Sequence, residues 1–285
     1  GRLDEAFVLT LGTVREFERA GRHDMLGMPY HNLVAHSLKP ADHERWYDAY
    51  MQWHAANAPD DNYASVLQIH GNYLSLMYGE HRSGAGHVCR AMDIELAAEW
   101  DPISLAAMHW EVAVITARSG DHAAALAQLD ALEAYAADKL PNKADVRDYR
   151  AHADALRALM QLQHDAAADG ELLEPASDAA ATSLGLRVRV ESALRRGDLA
   201  TARSVLEQVV ERTPKGPGRP GTVAAQVDTA LLCARLAGAE GDENQAVAHL
   251  VSAIELAQGG HLLPSLLHAL VEATEYLSEG LRSDV

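Results

Sequence analysis

Ser119-Gly120-Asp121-His122-Ala123-Ala124-Ala125-Leu126-Ala127-Gln128-Leu129-Asp130-Ala131-Leu132 is the stretch from which the fold follows. Gly120 supplies the left-handed backbone that ends one helix, and Asp121 supplies the side-chain acceptor that starts the next. Ala125 then lets the second helix approach the first closely, and Leu129 and Leu132 stay on the same buried stripe, four and seven residues on. The pattern recurs twice. Gly197-Asp198 leads to Ala202, Leu206 and Val209, and Gly241-Asp242 leads to Ala246, Leu250 and Ala253. Seven residues before each glycine stand Ala113, Val190 and Ala234, where the paired helices should cross.

Outward from these turns, helical periodicity continues in both directions. Breaks fall at residues 20–24, 57–62, 79–86, 101–102, 140–142, 169–170, 214–221 and 259–260, each a polar, Gly or Pro cluster. The segments between them have the length of helices in a repeat array. Lys143 to His164 reads as one long helix. Hydrophobic residues make up 48% and aromatics only 5% of the 285 residues, so the apolar content is mainly Ala and Leu. That suits closely packed helices and not a β-sandwich. The fold class expected is all-α.

The Gly-Asp units resemble the tetratricopeptide repeat family, a helix-turn-helix of about 34 residues. Pro214 stands where that family closes its second helix. His109 departs from it, occupying a place where an aromatic is usual. The Gly120-to-Gly197 interval would hold two units, with Lys143 to His164 as an extra helix. The resemblance implies an α-solenoid of antiparallel pairs wound as a right-handed superhelix, with first helices lining a concave groove. It implies one domain over 1–285: divergent units over 1–101, tetratricopeptide-like repeats over 102–261, and a capping helix over 262–285 with Glu272, Glu275 and Glu279 outward. The last repeats, with Ile254-Glu255-Leu256-Ala257 before Gly259-Gly260, also look like the sensor region of large LuxR-type, maltose-regulator-like activators. No helix-turn-helix reader or P-loop accompanies them.

Forty-one acidic against 24 basic residues give a formal charge of −17, which repels phosphate backbones and anionic lipid. Nucleic acid is therefore not an expected partner. No apolar run reaches the ~20 residues of a bilayer span, so a membrane is not expected either. Cys89 and Cys233 lie far apart and give no disulfide framework. Gly1 to Glu5 are polar and show no secretory signal, and a cytoplasmic location is the expectation.

Chemistry-bearing residues crowd the N-terminal third. The first 110 residues hold 12 of 15 aromatics and nine of 15 histidines. Trp46, Tyr50, Trp53 and His54 fall at i, i+4, i+7 and i+8, one helix face, flanked by Tyr47. His70 and Tyr73 would face them, and His109 and Trp110 lie farther along. Such walls suit a peptide, a partner protein or a small molecule; the same stripe is also what core packing produces. Between Leu184 and Gly221 eight basic residues meet four acidic ones. Arg189 and Arg196 share a face there, a candidate pair for a carboxylate.

No catalytic signature stands out, and no cofactor is implied. His81, His87 and Cys89, in the Gly-rich stretch 79–86 and just beyond it, match no zinc spacing and lack a fourth ligand. Glu111 could point into a groove or pair with Arg118. The expected function is a protein- or peptide-binding scaffold. A ligand-sensing domain of a signalling or transcription regulator and a divergent enzyme built on the N-terminal histidines are the alternatives.

Overall fold

The structure is a computed structural model that describes residues 2–58, 61–164, 177–216 and 218–283. Within these it is all-helical, with fourteen α-helices and no strand. They are α1 (Arg2–Arg19), α2 (Gly27–His36), α3 (Pro40–Asn57), α4 (Tyr63–Tyr73), α5 (His81–Ala97), α6 (Pro102–Arg118) and α7 (His122–Lys139). There follow α8 (Lys143–His164), α9 (Asp178–Ala181), α10 (Ser183–Arg195), α11 (Leu199–Arg212), α12 (Pro220–Ala239), α13 (Glu243–Gly259) and α14 (Leu263–Ser283). A π-helical segment, Leu74–Tyr78, extends α4. The break read at 169–170 lies outside the described residues.

The three Gly-Asp turns are built alike. Gly120, Gly197 and Gly241 have φ of 80°, 70° and 79°. The side chains of Asp121, Asp198 and Asp242 accept from the backbone N–H of Ala124, Thr201 and Gln245 at 3.1, 3.1 and 3.0 Å. Each satisfies one of the donors that a helix start leaves orphaned. Ala125, Leu129, Leu132, Ala202 and Ala246 are fully buried, as are Ala113 and Val190 at the crossings.

Two further turns share this geometry without a glycine. Glu99 and His261 take positive φ of 52° and 56°. Trp100 N–H and Leu262 N–H then close onto the carbonyls of Glu95 and Ala257, the same closure that Asp198 and Asp242 make onto Ala193 and Ala237. His261, not Gly259-Gly260, is therefore the left-handed residue of the last turn.

Stretch 79–86 is not a loop as its glycines suggest. Only Gly79, at φ 73°, turns the chain; Gly84 and Gly86 lie inside α5. A Cβ on Gly71 or on Gly84 would lie 2.5 Å from the other residue's carbonyl oxygen. These glycines let α4 and α5 cross backbone to backbone.

Consecutive helices pack side by side, but the last one also returns. α14 packs on α13, on α12 and on the π-helical segment. Met77 and Tyr73 are buried there with Leu262 and Ala224. Contacts from α5 through α6, α8, α10, α12 and α14 back to Leu74–Tyr78 thus form a closed circuit. Glu272 faces inward, its side chain 20% exposed, whereas Glu275 is exposed. The side chain of Glu279 lies outside those described.

Candidate functional site: the interior cavity

The aromatic and histidine residues of the N-terminal third come together, but mainly as core. Tyr50 is 0%, Tyr73 5%, Trp46 6% and His70 9% exposed. Tyr73 lies flat on His43 at 3.5 Å between ring centres, and Tyr47 lies flat on His70 at 3.6 Å. The two stacks are joined by a hydrogen bond of 3.1 Å between His43 Nε2 and His70 Nδ1, in which one ring must donate and the other accept. Burial drives both rings toward the neutral form, His43 to about 4 and His70 to about 3. Trp46 stacks on Tyr30 and carries the Arg45 guanidinium 4.6 Å from its ring centre. Trp53 donates from its indole nitrogen to the His23 carbonyl at 2.7 Å, and His54 stacks on Tyr63 at 4.0 Å. These contacts join α3 to its neighbours.

Other sequence candidates separate. His109 tilts onto Tyr135, with ring centres 5.4 Å apart. Arg189 is half-buried with its Nε unpartnered, and Arg196 is exposed at the end of α10; neither lines the interior cavity. Glu111 does not pair with Arg118. It accepts from Gln68 at 3.0 Å and Asn72 at 2.8 Å, tying α6 to α4, and burial raises its pKa. His81 Nδ1 meets the Ser75 hydroxyl at 2.8 Å. Among the described residues no group of three His, Cys, Asp or Glu is placed to hold a metal ion. No described helix is long and apolar enough to cross a membrane.

Trp110 is the sequence-selected residue that does reach a cavity. Inside the circuit of helices lies a hollow of about 600 Å³, and Trp110 forms part of its wall, edge-on to His152. The apolar wall continues through Val114, Leu156, Leu159 and Leu184. The polar wall gathers side chains from distant elements: His81 of α5, Arg118 of α6, Arg187 of α10, Asp228 of α12 and His268 of α14. A second hollow of about 740 Å³, between α12, α13, the loop after α11 and Leu38, has a mostly aliphatic lining.

The charges around the cavity are unevenly matched. Arg187 donates to Asp228 at 2.5 Å and to Glu191 at 3.1 Å. Burial opposes its charge, but the two carboxylates prevail and raise its pKa. Arg235 forms a bidentate pair with Glu272, which His268 also approaches at 3.4 Å. The bond from His268, with that from Arg235, holds the Glu272 carboxyl at about 2. Arg118 differs. It is exposed to solvent, and no side chain among the described residues hydrogen-bonds or ion-pairs with it; the protein packed around it and the nearby Arg187 lower its pKa against the pull of Asp228. Among the described residues only Arg187 engages Asp228, at Oδ2. The cavity therefore presents one unmatched guanidinium and one free carboxylate oxygen.

Sequence reasoning missed Arg118, Arg187 and Asp228. The Arg187-Glu191 spacing of four residues was a local signal for a pair on one helix face. Nothing local tells that Arg118 and Asp228 share a cavity, because contacts between distant elements bring them together.

No family model, curated protein or solved structure matches this chain.

Proposed function

We propose that this chain is a tetratricopeptide-like binding module that holds a small ligand or a short peptide segment in its interior cavity. The observation that carries this reading is Arg118, a guanidinium that pairs with no carboxylate among the described residues and lines a hollow of about 600 Å³ inside the helix circuit. Arg118 is exposed to the solvent that fills the hollow, and an incoming anion gains a charge-assisted, bidentate partner there without breaking an existing ion pair. The volume falls within the range of small-molecule sites. The shared geometry of the Gly-Asp turns and the small residues at the crossings support the tetratricopeptide-like reading, and with it a right-handed superhelical course.

This reading selects the ligand-sensing alternative over a broad scaffold. The aromatic face offered for a partner is largely buried, whereas the interior wall is polar and reachable. It gives no support to an enzyme using the N-terminal histidines, since His43 and His70 bond each other inside the core.

Thermal unfolding with a panel of the twenty proteinogenic amino acids, short peptides, aliphatic carboxylates and sugar phosphates tests the proposal. At least one class should raise the midpoint saturably, because a ligand that binds only the native state stabilises it. Ser265→Trp, which fills the cavity from α14, should abolish the shift. No shift with any class, or a shift unchanged in Ser265→Trp, would refute the interior site.

A further inference from the structure

Resting on the interior-cavity reading, the geometry points to a ligand class: we propose a free α-amino acid with an aliphatic side chain, its carboxylate on Arg118 and its ammonium on Asp228. Three features of the cavity lead there.

The first is the unmatched pair of polar groups. Arg118 has its donors unengaged, and Asp228 has one oxygen engaged by Arg187 and the other without a hydrogen-bond donor among the described residues. They are near enough for each charge to act on the other, yet they form no ion pair. A guanidinium and a carboxylate that face one hollow without meeting leave room for a group that bridges them. A zwitterion places an anion and a cation on neighbouring atoms and satisfies both at once.

The second is the charge balance. Arg118, Arg187 and Asp228 line the cavity, and Glu191, Arg235 and Glu272 continue the ion-pair network behind it, three cations against three anions in all. A phosphate dianion entering this set would leave two negative charges uncompensated beside Asp228. A simple carboxylate would leave one. A zwitterion leaves the balance unchanged and gives each of its own charges a partner.

The third is the apolar part of the lining. Leu156, Leu159, Leu184 and Val114, with the ring of Trp110, line the same hollow as the two charges. An aliphatic side chain on the α-carbon would pack against these residues.

Isothermal titration with L-leucine, 4-methylpentanoate and isoamylamine separates the parts of the proposal. The second compound lacks the ammonium and the third lacks the carboxylate. Leucine should bind one to one, and each analogue about tenfold to a hundredfold more weakly, the worth of a hydrogen bond to a charged group. Arg118→Gln should weaken leucine and 4-methylpentanoate but not isoamylamine. Asp228→Asn should weaken leucine and isoamylamine but not 4-methylpentanoate. Thermal unfolding of both variants verifies the fold; if Asp228→Asn unfolds, the analogue comparison on the wild-type protein decides alone. Equal affinity for leucine and 4-methylpentanoate would overturn the zwitterion while leaving the interior site in place. Binding of leucine unaffected by Arg118→Gln or by Ser265→Trp would put it outside the cavity and overturn the inference. If none of the three compounds binds while a phosphate or a peptide from the broader panel does, the ligand class falls and the cavity reading stands; if nothing binds at all, both fall.

Discussion

Lowering the pH from 7 to 5 should destabilise this protein through two buried imidazoles. His43 and His70 hold about 4 and about 3 in the folded chain, against an ordinary value near 6.5 once unfolded. At pH 5 the unfolded chain protonates both rings and the folded chain neither. Stability then rises with pH across this window, because the unfolded state binds more protons. Each ring withdraws about 2 kcal/mol between pH 7 and pH 5. The two add to about 4 kcal/mol, since they titrate independently when unfolded and both stay neutral when folded. That is a large share of a typical domain's stability of about 5–15 kcal/mol. Other groups titrate too. Glu111, raised by burial, acts in the opposite direction, and the neutral-favouring burial of His81, His87 and His109 acts in the same one. The comparison is therefore between the wild-type protein and His43→Gln, whose amide reaches the position of Nε2 and keeps a bond to His70. Urea unfolding at the two pH values should show the variant losing about 2 kcal/mol less than the wild-type protein. An equal loss in both would refute the assignment of neutral, buried rings.

Four other outcomes follow from the packing. Asp198→Ala removes the acceptor for Thr201 N–H and should cost about 1 kcal/mol in urea unfolding, with little change in the slope. Gly84→Ala forces a Cβ against the Gly71 carbonyl, so the α4–α5 crossing must open; a loss of about 1–3 kcal/mol is expected in thermal unfolding. Tyr73→Phe removes a buried hydroxyl that has no partner among the described residues and should leave stability unchanged or raise it by about 1 kcal/mol. Tyr73→Ala leaves a cavity beneath the seam between α14 and residues 74–78 and should cost about 3–5 kcal/mol, read as a lower thermal midpoint.

The contrast between Asp198 and Arg118 shows what a sequence can carry. Gly197-Asp198 is legible because everything its turn needs is local: a residue free to take positive φ and a side chain that caps the next few amides. The same local logic located Ala125, Leu129 and Leu132 in the core and bounded the Lys143–His164 helix. It failed where a residue type departed from its usual part. Glu99 and His261 take left-handed turns that glycine would have announced, and Gly84 sits in a helix because a crossing, not a turn, requires it. The aromatic stripe of α3 was visible, yet its periodicity is common to a pocket wall and a core face. Burial decided for the core at Trp46 and Tyr50. Arg118, Arg187 and Asp228 were out of reach for a different reason. They share a wall only because α14 packs on the π-helical segment and α6, α10 and α12 face the same hollow, which are long-range contacts.

Central to this account is a ligand inside the helix circuit, anchored by Arg118. A crystal structure of the protein grown with whichever compound most raises its thermal midpoint tests that most directly. The account predicts ligand density in the interior cavity, with its anionic group against the Arg118 guanidinium and its apolar part along Trp110 and Leu159. Density in the aliphatic hollow near Leu38 and Cys233, or in the interior but away from Arg118, would contradict it.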